Sequence, residues 1–385
     1  MRTVLHQHPP ARRAARASAA GLSALAAAGL ALAGPASAAT GSARSAPQPG
    51  GVWHLRTIFS GSTVGATGPD DVVVSGGKLF VAFQNGVGAQ GEPSKTGQRD
   101  STLVELTTAG DLLKWWQVHG KIDGMGADPA TGRIVVTVDE DANSSMSVLD
   151  PASGTLTSYR YAADPLPHNG GTDAVTFWNG DLVVSASAPG TIGGKQAAAP
   201  NGSYPAAYRV VLDSATHVAQ LSPLFFDEDS AAVANSGAGK APMALALTDP
   251  DSNAVVPAVS PRFAGALAVD SQADKQLVLL GGGKLSVLKL SESIDDFTWA
   301  TAPAGSLVVT DGAANVVDIV QGPFKPGTTF VAATPCDAAN APSTCPAPGF
   351  AATYLGMLDL NSGDVTRLDL RGLLVEPAGL SFIGG

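Results

Sequence analysis

Three features of the sequence predict an all-β chain closed on itself as a six-bladed β-propeller. The composition favours turns, with 45 glycines and 27 prolines among 385 residues and only 15% charged side chains. That balance suits many short strands better than helices. A strand–turn–strand phrase recurs at a spacing of roughly 50 residues, as repeated small sheets require. The two ends of the chain carry complementary fragments of that phrase.

In chain order, residues 1–38 are expected to lie outside the fold. Arg2, Arg12, Arg13 and Arg16 precede an Ala/Gly/Leu run from Ala17 to Gly34, and Ala36-Ser37-Ala38 supplies a small-residue cleavage site. This is the anatomy of a signal peptide, so the protein is expected to be secreted. The Arg12-Arg13 pair leaves twin-arginine export open beside the general route. Residues 39–51, "ATGSARSAPQPGG", read as a flexible leader with too little apolar surface to pack. Residues 52–385 read as one propeller domain, expected to be monomeric. No later stretch offers 18 consecutive apolar residues, so no membrane span is expected.

The domain starts with a lone strand, "VWHLRTIF" (Val52 to Phe59). The phrase follows as "DDVVVSGGKLFVAF" from Asp70, "DGMGADPATGRIVVTV" from Asp123 and "DAVTFWNGDLVVSAS" from Asp173. It returns as "MALALTDPDSNAVVPA" from Met243, "DDFTWATAPAGSLVVT" from Asp295 and, truncated, "PAGLSFIGG" from Pro377. Each copy is read as an innermost strand, a Gly/Pro turn and a second strand. A further hairpin completes each unit, as in "MSVLDPASGTLTSY" and "LGMLDLNSGDVTRL", which share an Asp-x-x-Ser-Gly turn. One four-stranded sheet cannot bury both its faces, so the sheets stack radially. The truncated copy would be completed by Val52–Phe59, pairing the N- and C-terminal strands and closing the ring. Seven blades are the alternative, because residues 187–242 and 315–370 are long for single units.

The phrases "GPDDVVVSGGKLFVAF" and "LVVTDGAANVVDIV" give residues 60–320 a repeat-level similarity to known proteins. In them the chain resembles the NHL/YVTN-type and SMP-30/gluconolactonase-like propellers. That group holds enzymes, binding modules and scaffolds, so the resemblance implies a fold and leaves the function open.

Propeller topology sorts the loops. The turns between first and second strands, "SGGK", "PATGR", "WNGD", "PDSN" and "APAG", are short and fall on one face. The opposite, top face receives the long loops Gln84–Asp100 and Ala188–Pro205, of a length that is uncommon without a function. It also receives the starts of the inner strands, with Asp70-Asp71, Asp123, Asp173 and Asp295-Asp296. Ring closure would gather these carboxylates around one axis. A cation, bridging water or raised pKa values would then have to relieve their repulsion, unless each Asp caps its own turn. Asp71, Asp123, Asp173 and Asp296 are the candidate metal ligands, for Ca2+ or another divalent cation. The candidate general bases are His119 and His168, which precede Asp123 and Asp173 by four and five residues. Secreted propeller lactonases and lyases are similar in kind, pairing an axial cation with a nearby histidine. SMP-30-like enzymes also supply Glu and Asn to the cation, and those positions have no match here.

"VDEDANSSM" offers Asp139, Asp141 and Asn143 as a second metal candidate, with calcium-loop spacing. Ser144 stands where such a loop needs Gly, Asp150 replaces the usual Glu, and "VVTDGAANVVDIV" repeats the Asp-x-x-x-Asn at Asp311 and Asn315. A recurring strand-to-strand turn is therefore the preferred reading. Cys336 and Cys345, the only cysteines, are expected to form a disulfide in an exported chain.

Without residues 1–38, 19 basic side chains face 33 acidic ones, since four arginines and no acid are removed. Such a surface argues against nucleic acid and anionic lipid as partners. Markers of serine hydrolases, zincins and P-loop enzymes are missing. The expectation is a propeller that binds a small molecule, glycan or peptide in or over the channel. The alternatives are a cation-dependent lactonase, ester hydrolase or lyase, and a non-catalytic scaffold.

Overall fold

The computed structural model describes residues 52–192, 195–196, 203–237, 240–336, 353–370 and 376–385. Strand β1 (His54–Ser60) comes first. A meander follows of β2 (Pro69–Ser75), β3 (Lys78–Phe83), β4 (Asp100–Thr107) and β5 (Leu112–His119). The next comprises β6 (Ile122–Ala127), β7 (Ile134–Val138), β8 (Ser145–Asp150) and β9 (Thr155–Tyr161). Then come β10 (Thr172–Trp178) and β11 (Asp181–Ala186), the small hairpin β12 (Thr191–Ile192) and β13 (Lys195–Gln196), then β14 (Pro205–Asp213) and β15 (Val218–Phe226). Short strands β16 (Ser230–Val233) and β17 (Met243–Ala244) lead to β18 (Pro250–Val255), β19 (Leu267–Ser271), β20 (Gln276–Gly281) and β21 (Lys284–Lys289). The last are β22 (Ile294–Trp299), β23 (Gly305–Asp311), β24 (Val316–Gln321), β25 (Thr329–Ala333), β26 (Tyr354–Leu358), β27 (Val365–Arg367) and β28 (Pro377–Gly384). Two single 3-10 turns, at Gly61–Val64 and Gln272–Asp274, are the only helical elements among the described residues.

These strands build a β-propeller. The innermost strands touch in sequence, β2 with β6, β6 with β10, β10 with β18, β18 with β22 and β22 with β28, and β28 returns to β2. Second strands lie under a neighbouring sheet on both faces and are mostly apolar. The runs IVVTV of β7 and TFVAA of β25 are buried at every position, as double cover demands. The outermost β5, LLKWWQVH, buries only Val118. The apolar core is divided into clusters, each joining two neighbouring sheets. Phe80 and Leu103 meet Ile122 and Ile134 across one seam. Val148 and Tyr159 meet Val184 and Tyr208 across the next. Near the axis the backbones nearly touch, and a side chain on Gly124 or Gly379 would lie 2.4 Å or 2.3 Å from the main-chain oxygen of Asp173 or Asp70.

The repeat was read correctly in the first three copies and needs correction in the rest. In the fourth, "PDSN" is no turn: Pro250–Val255 is itself the innermost strand and pairs with β19. A proline at the first residue of a strand sacrifices no ladder hydrogen bond, and Pro69 and Pro377 open β2 and β28 in the same way. In the fifth, β22 pairs with β25 and not with β23. The chain leaves after β22, lays the hairpin β23–β24 into the closing sheet, and returns as β25. The closing sheet has the order β1-β24-β23-β28. Its terminal strands therefore share a sheet without pairing with each other, because β23–β24 lies between them. "SLVVT" would suit any second strand; its contacts with Leu380 and Phe330 in one apolar cluster show where it belongs.

Candidate ligand site at the channel mouth

Each innermost strand is irregular at the same place. The register shifts between Pro69 and Val72, Ile122 and Met125, Thr172 and Val175, Pro250 and Asn253, and Ile294 and Asp296. The β23–β28 pairing shifts at the matching point, near Pro377. Bulges of this kind re-aim side chains out of the pleat. Here they turn short acidic side chains toward the axis. One pocket at the channel mouth is lined by Asp70, Asp71, Asp123, Asp173, Ala174, Asp251, Ser252, Asp295, Asp296, Ala378 and Gly379. All four candidate ligands, Asp71, Asp123, Asp173 and Asp296, are thus brought together, with Asp70, Asp251 and Asp295 beside them. Among the described residues, however, no three His, Cys, Asp or Glu side chains are arranged to hold a metal ion.

The repulsion is relieved from within. Lys121 places its ammonium 2.6 Å from Asp123 Oδ1 and 2.5 Å from Glu140 Oε1, and these two carboxylates hold its pKa well above the usual lysine range against the pull of burial. Donors serve the other acids: Gln84 Nε2 reaches Asp70 at 2.8 Å, and Asp296 accepts from Ser252 Oγ and from the Phe297 and Leu380 amides at 2.6 Å each. Burial and mutual repulsion still hold the acids above the usual carboxylate range. Burial pushes Asp70 up to about 7 and Asp296 to about 6. Burial first and then Asp296 hold Asp71 well above the carboxylate range, and burial and then Asp173 do the same for Asp251. Asp123 and Asp173 are raised too, by burial and then by Glu140.

The histidines take other places. His168 is fully buried, its Nδ1 2.7 Å from the Tyr208 hydroxyl and its Nε2 2.5 Å from the Gly171 oxygen. Burial lowers its pKa to about 4. With both nitrogens engaged, it ties the loop ahead of β10 to β14 and has none left for a substrate. His119 is exposed at the end of outermost β5, 2.8 Å from Asp100.

"VDEDANSSM" proves to be a clasp. Asp139 takes the Lys121 amide on Oδ1 at 2.8 Å and donates its own amide to the Lys121 oxygen at 2.8 Å. The Asp141 amide bonds Ala89 O at 2.9 Å, and Asn143 Nδ2 bonds Gln90 O at 3.0 Å. The second metal candidate therefore fixes both the Lys121 loop and the long 84–100 loop. Asn143 and Asn315 both have positive φ, 60° and 57°, as the shared turn requires. Trp116 packs inward with Nε1 on Gly154 O at 3.2 Å, while Trp115 stays half exposed on the rim. Residues 1–51, part of the 188–205 loop and Cys345, with the expected disulfide, lie outside the described residues.

Lys121 and Asp251 were not among the expected site residues. A signal for Asp251 existed: Pro250-Asp251 aligns with Pro69-Asp70 at the start of an innermost strand. Nothing in the sequence marked Lys121, whose role depends on a contact between loops.

The site and fold together define a propeller with an acidic channel mouth. No protein-family model matches the chain, and no curated protein does. Among solved structures, virginiamycin B lyase from Staphylococcus aureus is similar over 87% of this chain and 79% of its own, at 11% identity and a TM-score of 0.40. A streptogramin B lyase is similar over 86% and 78%, at 13% identity and 0.41. A protein of unknown function from Bacteroides caccae is similar over 82% and 86%, at 11% identity and 0.43.

Proposed function

We propose that this chain is an exported six-bladed propeller whose channel mouth binds a positively charged ligand, either a divalent cation or the ammonium group of a small molecule or peptide. Support for the blade number comes from the closed circuit of innermost strands. Among the described residues three sheets are four-stranded, an eight-stranded sheet joins two four-stranded meanders through β9 and β15, and a six-stranded sheet adds β16 and β17 to the edge of the β18–β21 meander. The basic, apolar and small-residue pattern of residues 1–38 supports export. The ligand reading is carried by one observation: seven aspartates from five innermost strands line a single pocket. Carboxylates held close by a closed backbone attract a cation strongly, because binding relieves both repulsion and desolvation. Lys121 already satisfies one of them, Asp123, together with Glu140 beside the pocket. Binding is favoured over hydrolysis or elimination, since His168 has no free nitrogen and His119 lies on an outermost strand.

Calorimetric titration of the purified protein with Ca2+ and, separately, with putrescine tests the reading. Saturable binding of one of them, weakened at least tenfold by the double variant Asp71→Asn/Asp296→Asn and by added salt, is the expected result. The arm that saturates identifies the kind of cation. Binding of neither, or binding that ignores the double variant, would overturn the proposal.

A further inference from the structure

Opposite each bulge stands one residue of the second strand, and in several blades its hydroxyl stitches one sheet to the next. Thr137 on β7 donates to the main-chain oxygen of Asp173 at 2.6 Å. Ser185 on β11 donates to that of Asp251 at 2.5 Å, and Thr310 on β23 to that of Asp70. In all three the acceptor is the first bulge residue of the following blade, so a polar side chain at this position meets a main-chain oxygen.

In β19 the register puts Asp270 at this position. Pro250 pairs with Ser271 and Asn253 with Val269, leaving Asp270 opposite the bulge. The equivalent acceptor in the following blade is the main-chain oxygen of Asp295. An ionised Asp270 would set acceptor against acceptor. Its side chain is fully buried, and neither carboxyl oxygen has a hydrogen-bond partner. The charged groups that act on it most strongly are all carboxylates, Asp295 and Asp296 on β22, Asp249 ahead of β18 and Asp173 on β10.

We propose that Asp270 is an uncharged carboxylic acid that donates its proton to the main-chain oxygen of Asp295, replacing the Thr or Ser hydroxyl of the other seams and positioning Asp295 at the channel mouth. This role follows from strand register and is independent of what the mouth binds. Burial, then Asp295, holds the carboxyl well above the usual carboxylate range. A proton also needs no coordination shell, and no set of three metal-ligating side chains surrounds the residue among those described. Ala82 on β3 and Ala332 on β25 stand at the same position in their blades. The fold therefore tolerates a missing stitch, and variants at Asp270 should remain folded.

Urea unfolding of the wild type, Asp270→Asn, Asp270→Thr and Asp270→Ala between pH 5 and 8, with metal analysis of each, tests the assignment. One carboxyl protonated only in the folded state raises the unfolding constant by up to about tenfold per pH unit. All three variants should lose that factor. Asn and Thr, which keep a neutral donor, should be more stable than Ala at every pH and more stable than the wild type at pH 8. An unchanged pH dependence in all three would overturn the proposal, as would Ala equalling Asn and Thr. A stoichiometric metal present in the wild type and lost in Asp270→Asn would place a cation, not a proton, at the seam.

Discussion

Lys121 shows how one residue can decide whether a crowded acidic site is stable. Its ammonium sits between Asp123 and Glu140 with little exposure. Removing one member of such a group leaves the other charges buried and unpaired, at a cost of about 3–5 kcal/mol. Lys121→Gln should lose about that much at pH 8 in urea unfolding and clearly less at pH 5, where protons can replace the ammonium on Asp123. His168 runs the other way. Its folded pKa of about 4 lies below the usual histidine value, so below pH 6.5 the unfolded chain takes up a proton that the folded chain refuses. Stability from this residue is complete above pH 6.5 and is lost as pH falls toward 4. His168→Gln should flatten that slope in unfolding curves measured from pH 4 to 7. The aspartates and both histidines could be picked out of the sequence as residues of interest. That His168 is a buried tie could not, because Tyr208, its partner, lies 40 positions away.

At the scale of elements, strand identity was more legible than strand pairing. Turn chemistry is local: in the Asp-x-x-Ser-Gly hairpins the Gly154 amide bonds Asp150 O at 2.7 Å and the Gly363 amide bonds Asp359 O at 2.8 Å, and both could be read directly. The excursion of β23–β24 into the closing sheet could not, since its only signature is which cluster its apolar side chains enter. Because β28 is innermost and β1 outermost in that sheet, the two ends should contribute unequally. Leu380→Ala, on β28 and buried at 5% exposure, should cost about 2–5 kcal/mol in urea unfolding. Leu55→Ala, on the half-buried β1, should cost less than half of that. Equal losses would show that closure depends equally on both strands.

For the whole molecule, the mouth and the seams make stability a function of pH. Asp70, pushed to about 7, and Asp296, pushed to about 6, bind protons in the folded state that the unfolded chain has already released. Their contribution is fully present below about pH 4 and is lost as pH rises through 6 to 7. These carboxylates outnumber His168, so the unfolding midpoint should fall between pH 5 and 8, and a bound cation should raise it most at the upper end of that range. A midpoint that rises across this range would contradict the description of the mouth.

The sequence by itself determined the all-β class, the repeated strand and turn units, and the acids at the start of the innermost strands. Each follows from local rules: period-two alternation, glycine and proline in turns, and a polar residue where a strand begins. Only the tertiary structure decided that β22 pairs with β25, that Asp251 joins the ring, that Lys121 serves as its counter-ion and that Asp270 lacks a donor. These features depend on register and closure between segments far apart in the chain, where a shift of one residue would turn each side chain to the opposite face.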